Sequence, residues 1–354
     1  MKNGTTVAER GLMNPSKMTI EGSGDPVQLK RIFSTLPKTE MHLHIEGAIA
    51  LDEYREVVDV PAEWTPPGWA TDYRYETFKA FEDFILGYAD SWYNSPERYA
   101  RSAKSLFQRK LDEGVRYLEC SFAGIVCQMK QLPIGEIVDA IRSVVPPGLE
   151  VRLFIGLHHD GWIPETEKPL TDMLHLKNLD GIDLHGPERY PVADWMLDYW
   201  PAARAAGKFT KAHAGELGAA WHVREAVEKL GVSRIEHGFR AVEDPDVLEL
   251  LVAHKMVLDV CPISNFKLKT VASYGTHPLR KLIEAGVICT LNTDDPFIFG
   301  NTVADEFVVL GSEAGYDLKT LVQLARNGFE HALVTDEQRR TMLDEFDASA
   351  AKVL

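Results

Sequence analysis

Short apolar or β-branched runs alternate with amphipathic segments along most of this chain. Eight runs have strand length and composition: Glu40–His44, Val115–Phe122, Val151–Leu157, Gly181–Leu184, Lys208–His213, Val232–Glu236, Met256–Val260 and Val287–Asn292. Between most of them the apolar positions fall at helical spacing, most clearly in Val223–Leu230 (VREAVEKL) and Asp244–His254 (DPDVLELLVAH). Strands alternating with helices predict a parallel sheet, and eight of them predict closure into an α/β barrel of the (β/α)8 type. A doubly wound open sheet is the alternative that this pattern allows. No repeat at a fixed short period and no low-complexity tract interrupts the alternation.

One connection is too long to be a simple crossover. Residues 51–112, between the first two strands, hold Trp64, Trp69, Tyr73, Tyr75, Phe78, Phe81, Phe84, Tyr88, Trp92 and Tyr93. Pro61, Pro66 and Pro67 break its first part, and YETFKAFEDFILGYA then reads as a helix with an aromatic face. Such an insertion serves either as packing under the barrel rim or as a lid over a planar, apolar substrate. Residues 1–25 are polar and glycine-rich and are expected to form a loose tail. Residues 26–354 are expected to be one catalytic domain.

Composition narrows the partners. Against 38 basic residues stand 53 acidic ones, a net charge of −15, which argues against nucleic acid or an anionic membrane as partner. No apolar run reaches the roughly 18 residues of a membrane span, and no secretory leader is visible at the N-terminus. The four cysteines, Cys120, Cys127, Cys261 and Cys289, form no C-x-x-C pair, so reduced thiols and a cytoplasmic location are expected.

The stretch MHLHIEGA (41–48) carries the first chemical signal. Residues i and i+2 of a strand share a face, so His42 and His44 sit side by side. Two buried imidazoles placed so would repel if charged or lack partners if neutral; a divalent metal removes both problems. Active sites of barrels lie at the carboxyl ends of the strands. There this chain places His42, His44 and Glu46 after strand one, and His185 and Gly186 after strand four (GIDLHG). His213 and Glu216 follow strand five (KAHAGE), His237 follows strand six (RIEHG), and Asp294 and Asp295 follow strand eight (LNTDDP). Zinc takes imidazole nitrogen and carboxylate oxygen, and a catalytic zinc keeps one position open. His42, His44, His213 and Asp294 form such a donor set, which lowers the pKa of bound water toward neutrality. Glu216 is placed to pass protons, His237 to hold the hydroxide or take its proton, and Asp295 to offer a second carboxyl to the pocket.

Taken together, LPKTEMHLHIEGAI, GIDLHG, KAHAGELG, RIEHG, CPISN and LNTDDP resemble the adenosine deaminase family of the amidohydrolase superfamily, over about residues 35–335. The resemblance implies a TIM barrel of the metal-dependent hydrolase type carrying one zinc per chain. It implies replacement of the 6-amino group of a small-molecule purine by oxygen. It implies zinc on His42, His44, His213 and Asp294, a proton from Glu216 to ring N1, and a hydroxide oriented by His237. It further implies that Asp295 meets N7 and that the backbone N–H of Gly186 meets N3.

The substrate signals are mixed. Nucleoside-specific members have Asp where this chain has Glu46, and the free-base adenine deaminases are more similar there, at CPISNFKL and at His277-Pro278. GIDLHG and NTDDP resemble the nucleoside enzymes instead. His185, His158 and His159 are candidates to face the sugar side and a 5′ substituent. The expectation is deamination of adenosine or a 5′-modified adenosine, with adenine as the alternative. A different amidohydrolase with two metals, or a metal-stabilised protein without catalysis, are the remaining readings. No lysine stands at the end of strand four to bridge two metals, and a structural zinc needs neither Glu216 nor His237.

Overall fold

The computed structural model describes residues 24–159 and 172–354. The expected N-terminal tail therefore lies almost wholly outside the described residues. Eight parallel strands, β1 (Lys38–Glu40), β2 (Val115–Ala123), β3 (Glu150–His158), β4 (Gly181–His185), β5 (Phe209–Ala214), β6 (Arg234–His237), β7 (Val257–Val260) and β8 (Ile288–Leu291), lie side by side in chain order. An open doubly wound sheet reverses its strand order part-way; this order does not. The seam between β8 and β1 closes just beyond the strands. There the Asp294 N–H donates to the His42 carbonyl at 3.1 Å and the His44 N–H to the Asp294 carbonyl at 3.0 Å. The architecture is a (β/α)8 barrel.

Seven strands fall within two residues of the expected bounds at each end. The first does not. The expected strand Glu40–His44 is regular only over Lys38–Glu40, and His42 and His44 sit in the irregular stretch after it. The reason is local. Leu43 bridges to Asp294 while His44 bridges to Ser121, so successive residues pair with opposite neighbours across the barrel seam. Helices form where the periodicity places them: Asp244–His254 contains the helix Pro245–Ala253, whose first turn is capped by the Asp244 carboxylate accepting from the Asp246 N–H. Val223–Leu230 spans the end of the helix Ala220–Glu225 and a π turn, Ala226–Leu230, that ends on left-handed Gly231.

The insertion holds three α-helices, Leu51–Arg55, Phe78–Trp92 and Pro96–Asp112, and a 3-10 turn, Pro67–Trp69, and it packs on the barrel rim while also lining a cavity. Tyr88 and Trp92 on Phe78–Trp92 are fully buried. The hydroxyls of Tyr88 and Tyr93 donate to the carbonyls of Glu46 and Ile45 at 2.7 and 2.8 Å, and the Tyr99 hydroxyl donates to Glu46 Oε1 at 3.0 Å. Three tyrosines thus clamp the segment that follows the His-x-His pair. The other side of Phe78–Trp92 faces a cavity at the carboxyl ends of the strands. All four cysteines are free and buried. No helix among the described residues is long and apolar enough to cross a membrane.

Candidate active site

The site is built from the ends of β1, β5, β6 and β8. His42 Nε2 and His44 Nε2 stand 3.2 Å apart, as do His44 Nε2 and His213 Nε2. Asp294 Oδ1 lies 3.2 Å from both His42 Nε2 and His44 Nε2. A tetrahedral zinc with bonds near 2.0–2.1 Å places its ligands roughly 3.3–3.4 Å from one another, which these four distances match; donor atoms of His42, His213, His237 and Asp294 also all lie within 4.8 Å of one another. The outer nitrogens say which way the lone pairs point. His42 Nδ1 faces Glu236 Oε2 at 2.8 Å and the Asp259 carbonyl at 3.2 Å. His213 Nδ1 faces the Leu184 carbonyl at 3.0 Å and Asp183 Oδ2 at 3.3 Å, and His44 Nδ1 pairs with Ser121 Oγ at 3.0 Å. With protons held on Nδ1 by those acceptors, the Nε2 lone pairs of His42 and His213 converge on one point, an arrangement suited to a cation.

Backbone geometry supports the same centre. His237 and Asp294 adopt left-handed conformations, φ 62° and 63°, strained for residues with a Cβ and characteristic of sites held by their surroundings. Ser264 Oγ donates to Asp294 Oδ2 at 2.6 Å. Gly47 is required: a Cβ there would overlap the Asp295 carboxyl.

Glu216, His237 and Asp295 close the floor of the cavity. Glu216 Oε2 is 3.5 Å from His237 Nε2. Burial, and then the charges of Asp294 and Glu188, hold the Glu216 carboxyl well above the usual carboxylate range. Burial and the neighbouring Asp294 do the same to Asp295. Burial, reinforced by His42, keeps His237 well below the usual imidazole value. The arrangement is two carboxyls whose burial favours the acid form and an imidazole whose burial favours the neutral form, beside a candidate cation cage. The cavity above them measures about 290 Å³. One wall is apolar, from Phe78, Phe81, Ile85, Leu86, Ile125 and Met129; Glu46, Gly186, His158 and His185 line another part.

The adenosine deaminase family model matches residues 37–349 of the chain, an interval that contains every residue of this site. The chain belongs to the adenosine deaminase family. It is 36% identical over 238 residues to an adenosine deaminase of Shewanella denitrificans, which covers 65% of this chain and 71% of that protein. An adenine deaminase of Rhodopseudomonas palustris is 29% identical over 337 residues, 92% of this chain and 97% of that protein. The crystal structure of adenine deaminase from Arthrobacter aurescens superposes with a TM-score of 0.78 at 26% identity, covering 89% of this chain and 99% of that one. Membership makes the chain a hydrolytic deaminase.

All ten residues singled out in the sequence are brought together. Nine of them, all but His42, line the cavity, and His42 is packed beneath it. His158 also lines it and His159 does not. His185 lines the cavity and is also anchored from outside it. Its Nε2 pairs with Asp183 Oδ2 at 3.0 Å and Ser121 Oγ at 3.1 Å, and burial lowers its pKa to about 4. Its ring therefore also supports the outer side of His44 and His213.

The sequence reading missed several supporting residues of this deaminase. Glu188 is one: Oε1 accepts from the N–H groups of Glu216 and Leu217 at 2.8 and 3.2 Å, and Oε2 from those of Gly215 and Gly218 at 2.6 and 3.2 Å. Four backbone donors on one buried carboxylate fix the loop that carries Glu216. Beneath the cage, Lys211 Nζ contacts Glu119 at 2.7 Å and Glu236 at 2.8 Å, and Arg234 reaches Glu119 and Asp259. This buried network holds Glu236 against His42. The signal for it was present: Lys211, Arg234, Glu236 and Asp259 are charged residues inside otherwise apolar strand runs.

Proposed function

We propose that the chain is a zinc-dependent aminohydrolase that replaces the 6-amino group of a purine nucleoside, adenosine or a 5′-modified adenosine, with oxygen and releases ammonia. The observation that carries this reading is the 3.2 Å spacing of His42, His44, His213 and Asp294 beside the acids Glu216 and Asp295. His42, His44, His213 and Asp294 would hold one zinc per chain, which when bound would acidify a water for attack near neutral pH. The chain's own residues do the rest. As oxygen adds at C6, ring N1 becomes basic. Glu216, kept protonated by burial, donates to N1 in that state and not before, which is differential stabilisation. Asp295, protonated for the same reason, donates to N7. Gly186, with φ +94° and no side chain to intrude on His158, offers its N–H to N3.

The cavity of about 290 Å³, whose wall continues to half-exposed Leu86 and exposed Met129, supports a nucleoside. Adenine is the second reading. Relatives matched over 88% to 92% of this chain carry that name, and Glu46 Oε1 is tied to the Ala123 N–H at 2.9 Å and to Tyr99 rather than free to turn toward a sugar. Ammonia release from adenine, adenosine and a 5′-thio-substituted adenosine, measured side by side, separates the two. Preference for either nucleoside is expected; preference for adenine overturns the nucleoside assignment. Glu46→Asp, which withdraws the carboxyl by one methylene from those anchors, is expected to shift preference among the sugar-bearing substrates. Unchanged selectivity in that variant removes Glu46 from substrate recognition.

A further inference from the structure

Two motifs of the sequence, Asn265 in CPISN and His277 before Pro278, have no part in the chemistry described so far, yet both are buried beside it. Their hydrogen bonds form a chain with a fixed direction. The Leu279 N–H donates to His277 Nδ1 at 3.0 Å. A backbone N–H has only a proton to offer, so Nδ1 carries the lone pair and the neutral imidazole has its proton on Nε2. Burial lowers the His277 pKa to about 3 and so keeps the ring neutral.

His277 Nε2 lies 3.1 Å from Asn265 Oδ1. That contact settles the orientation of the amide, which packing alone leaves open to a flip. The opposite orientation would set two donors, the Asn265 amide and the His277 Nε2–H, against each other here. With the oxygen turned to His277, the two amide protons point the other way: Asn265 Nδ2 is 3.2 Å from Glu216 Oε1 and 3.3 Å from His237 Nδ1.

We propose that His277 and Asn265 are positioning residues which fix His237 in the tautomer with its proton on Nε2. The inference rests on the reading of Glu216 and His237 as the proton-handling pair. His237 Nδ1 is an acceptor of the Asn265 amide, so the ring's one proton is on the nitrogen facing Glu216 Oε2 and, at 3.8 Å, Asp294 Oδ2. A ring in that form holds an oxygen nucleophile by donating to it. It has no lone pair on that side with which to take a proton. Of the two roles open to His237, holding and deprotonating, the chain selects the first and leaves proton transfer to Glu216, whose other oxygen the same amide engages.

The direct test is the tautomer itself, read from the imidazole nitrogen shifts of the full, zinc-loaded protein labelled at histidine. The expected result is His237 protonated at Nε2 and bare at Nδ1. Protonation at Nδ1 overturns the proposal. Asn265→Ala is expected to mix the tautomers and lower kcat roughly 10- to 100-fold, the scale of outer-partner losses, with zinc content and KM held. His277→Leu is expected to act in the same direction, and His277→Gln, which restores an N–H toward Asn265, to recover most of the loss. Wild-type kcat in Asn265→Ala also overturns the proposal. If the wild-type protein deaminates no 6-aminopurine, the functional reading fails, while the nitrogen shifts still decide the tautomer.

Discussion

Glu216→Gln is expected to retain its zinc and to lose roughly 10³-fold in kcat, within the span assigned to general acid–base catalysis. The substitution preserves the shape. A glutamine carbonyl can still accept from Asn265 Nδ2, now 3.2 Å from Oε1, and Glu188 still holds the loop by its backbone N–H groups. Only the transferable proton is removed. The pH dependence should change with it. Burial raises the Glu216 pKa, so kcat/KM of the wild type falls as pH rises through that raised value. The residual activity of the variant should lack this limb.

Stability falls with rising pH for the same reason. The folded-state pKa lies above the unfolded one, so unfolding releases a proton between the two values and stability declines as pH rises through that window. Glutamine has no such dependence, and the metal-free variant should lose less stability than metal-free wild type toward alkaline pH. Zinc analysis, ammonia release and thermal unfolding across pH check the three parts. Undiminished turnover would remove Glu216 from proton transfer.

His213→Ala is expected to lose both zinc and activity. Of the four donors, His213 alone comes from β5, and its Nε2 closes the cage against His44 at 3.2 Å. Its outer nitrogen is held by the Leu184 carbonyl and Asp183, so alanine removes a ligand whose orientation was already fixed and leaves those acceptors unmatched. Metal content after dialysis against a mild chelator is the measurement. Full occupancy in the variant would contradict the ligand role.

Much of this was legible because barrel chemistry is written at strand ends. His213, Glu216, His237, Asp294 and Asp295 follow apolar runs that β5, β6 and β8 bear out nearly residue for residue. β1 was misjudged because Leu43 and His44 bridge to opposite neighbours, and no local pattern encodes a seam. Glu188 was invisible, and Asn265 and His277 stood out only as motifs without a role, for a different reason. Each acts through partners distant in sequence, Glu188 through the N–H groups of 215–218 and His277 through Asn265. Only the folded chain brings a lone buried polar residue to the groups that explain it. The aromatic insertion showed its character but not its main contact: nothing in YETFKAFEDFILGYA announces that Tyr88 and its neighbours hold the carbonyls of Ile45 and Glu46.

The account stands on one metal serving one reaction, and a zinc titration followed by ammonia release tests that most directly. Metal-free protein is titrated with zinc in the presence of the preferred 6-aminopurine. Activity that rises linearly and saturates at one zinc per chain is the predicted result. Saturation at two, or ammonia release indifferent to zinc, would contradict it.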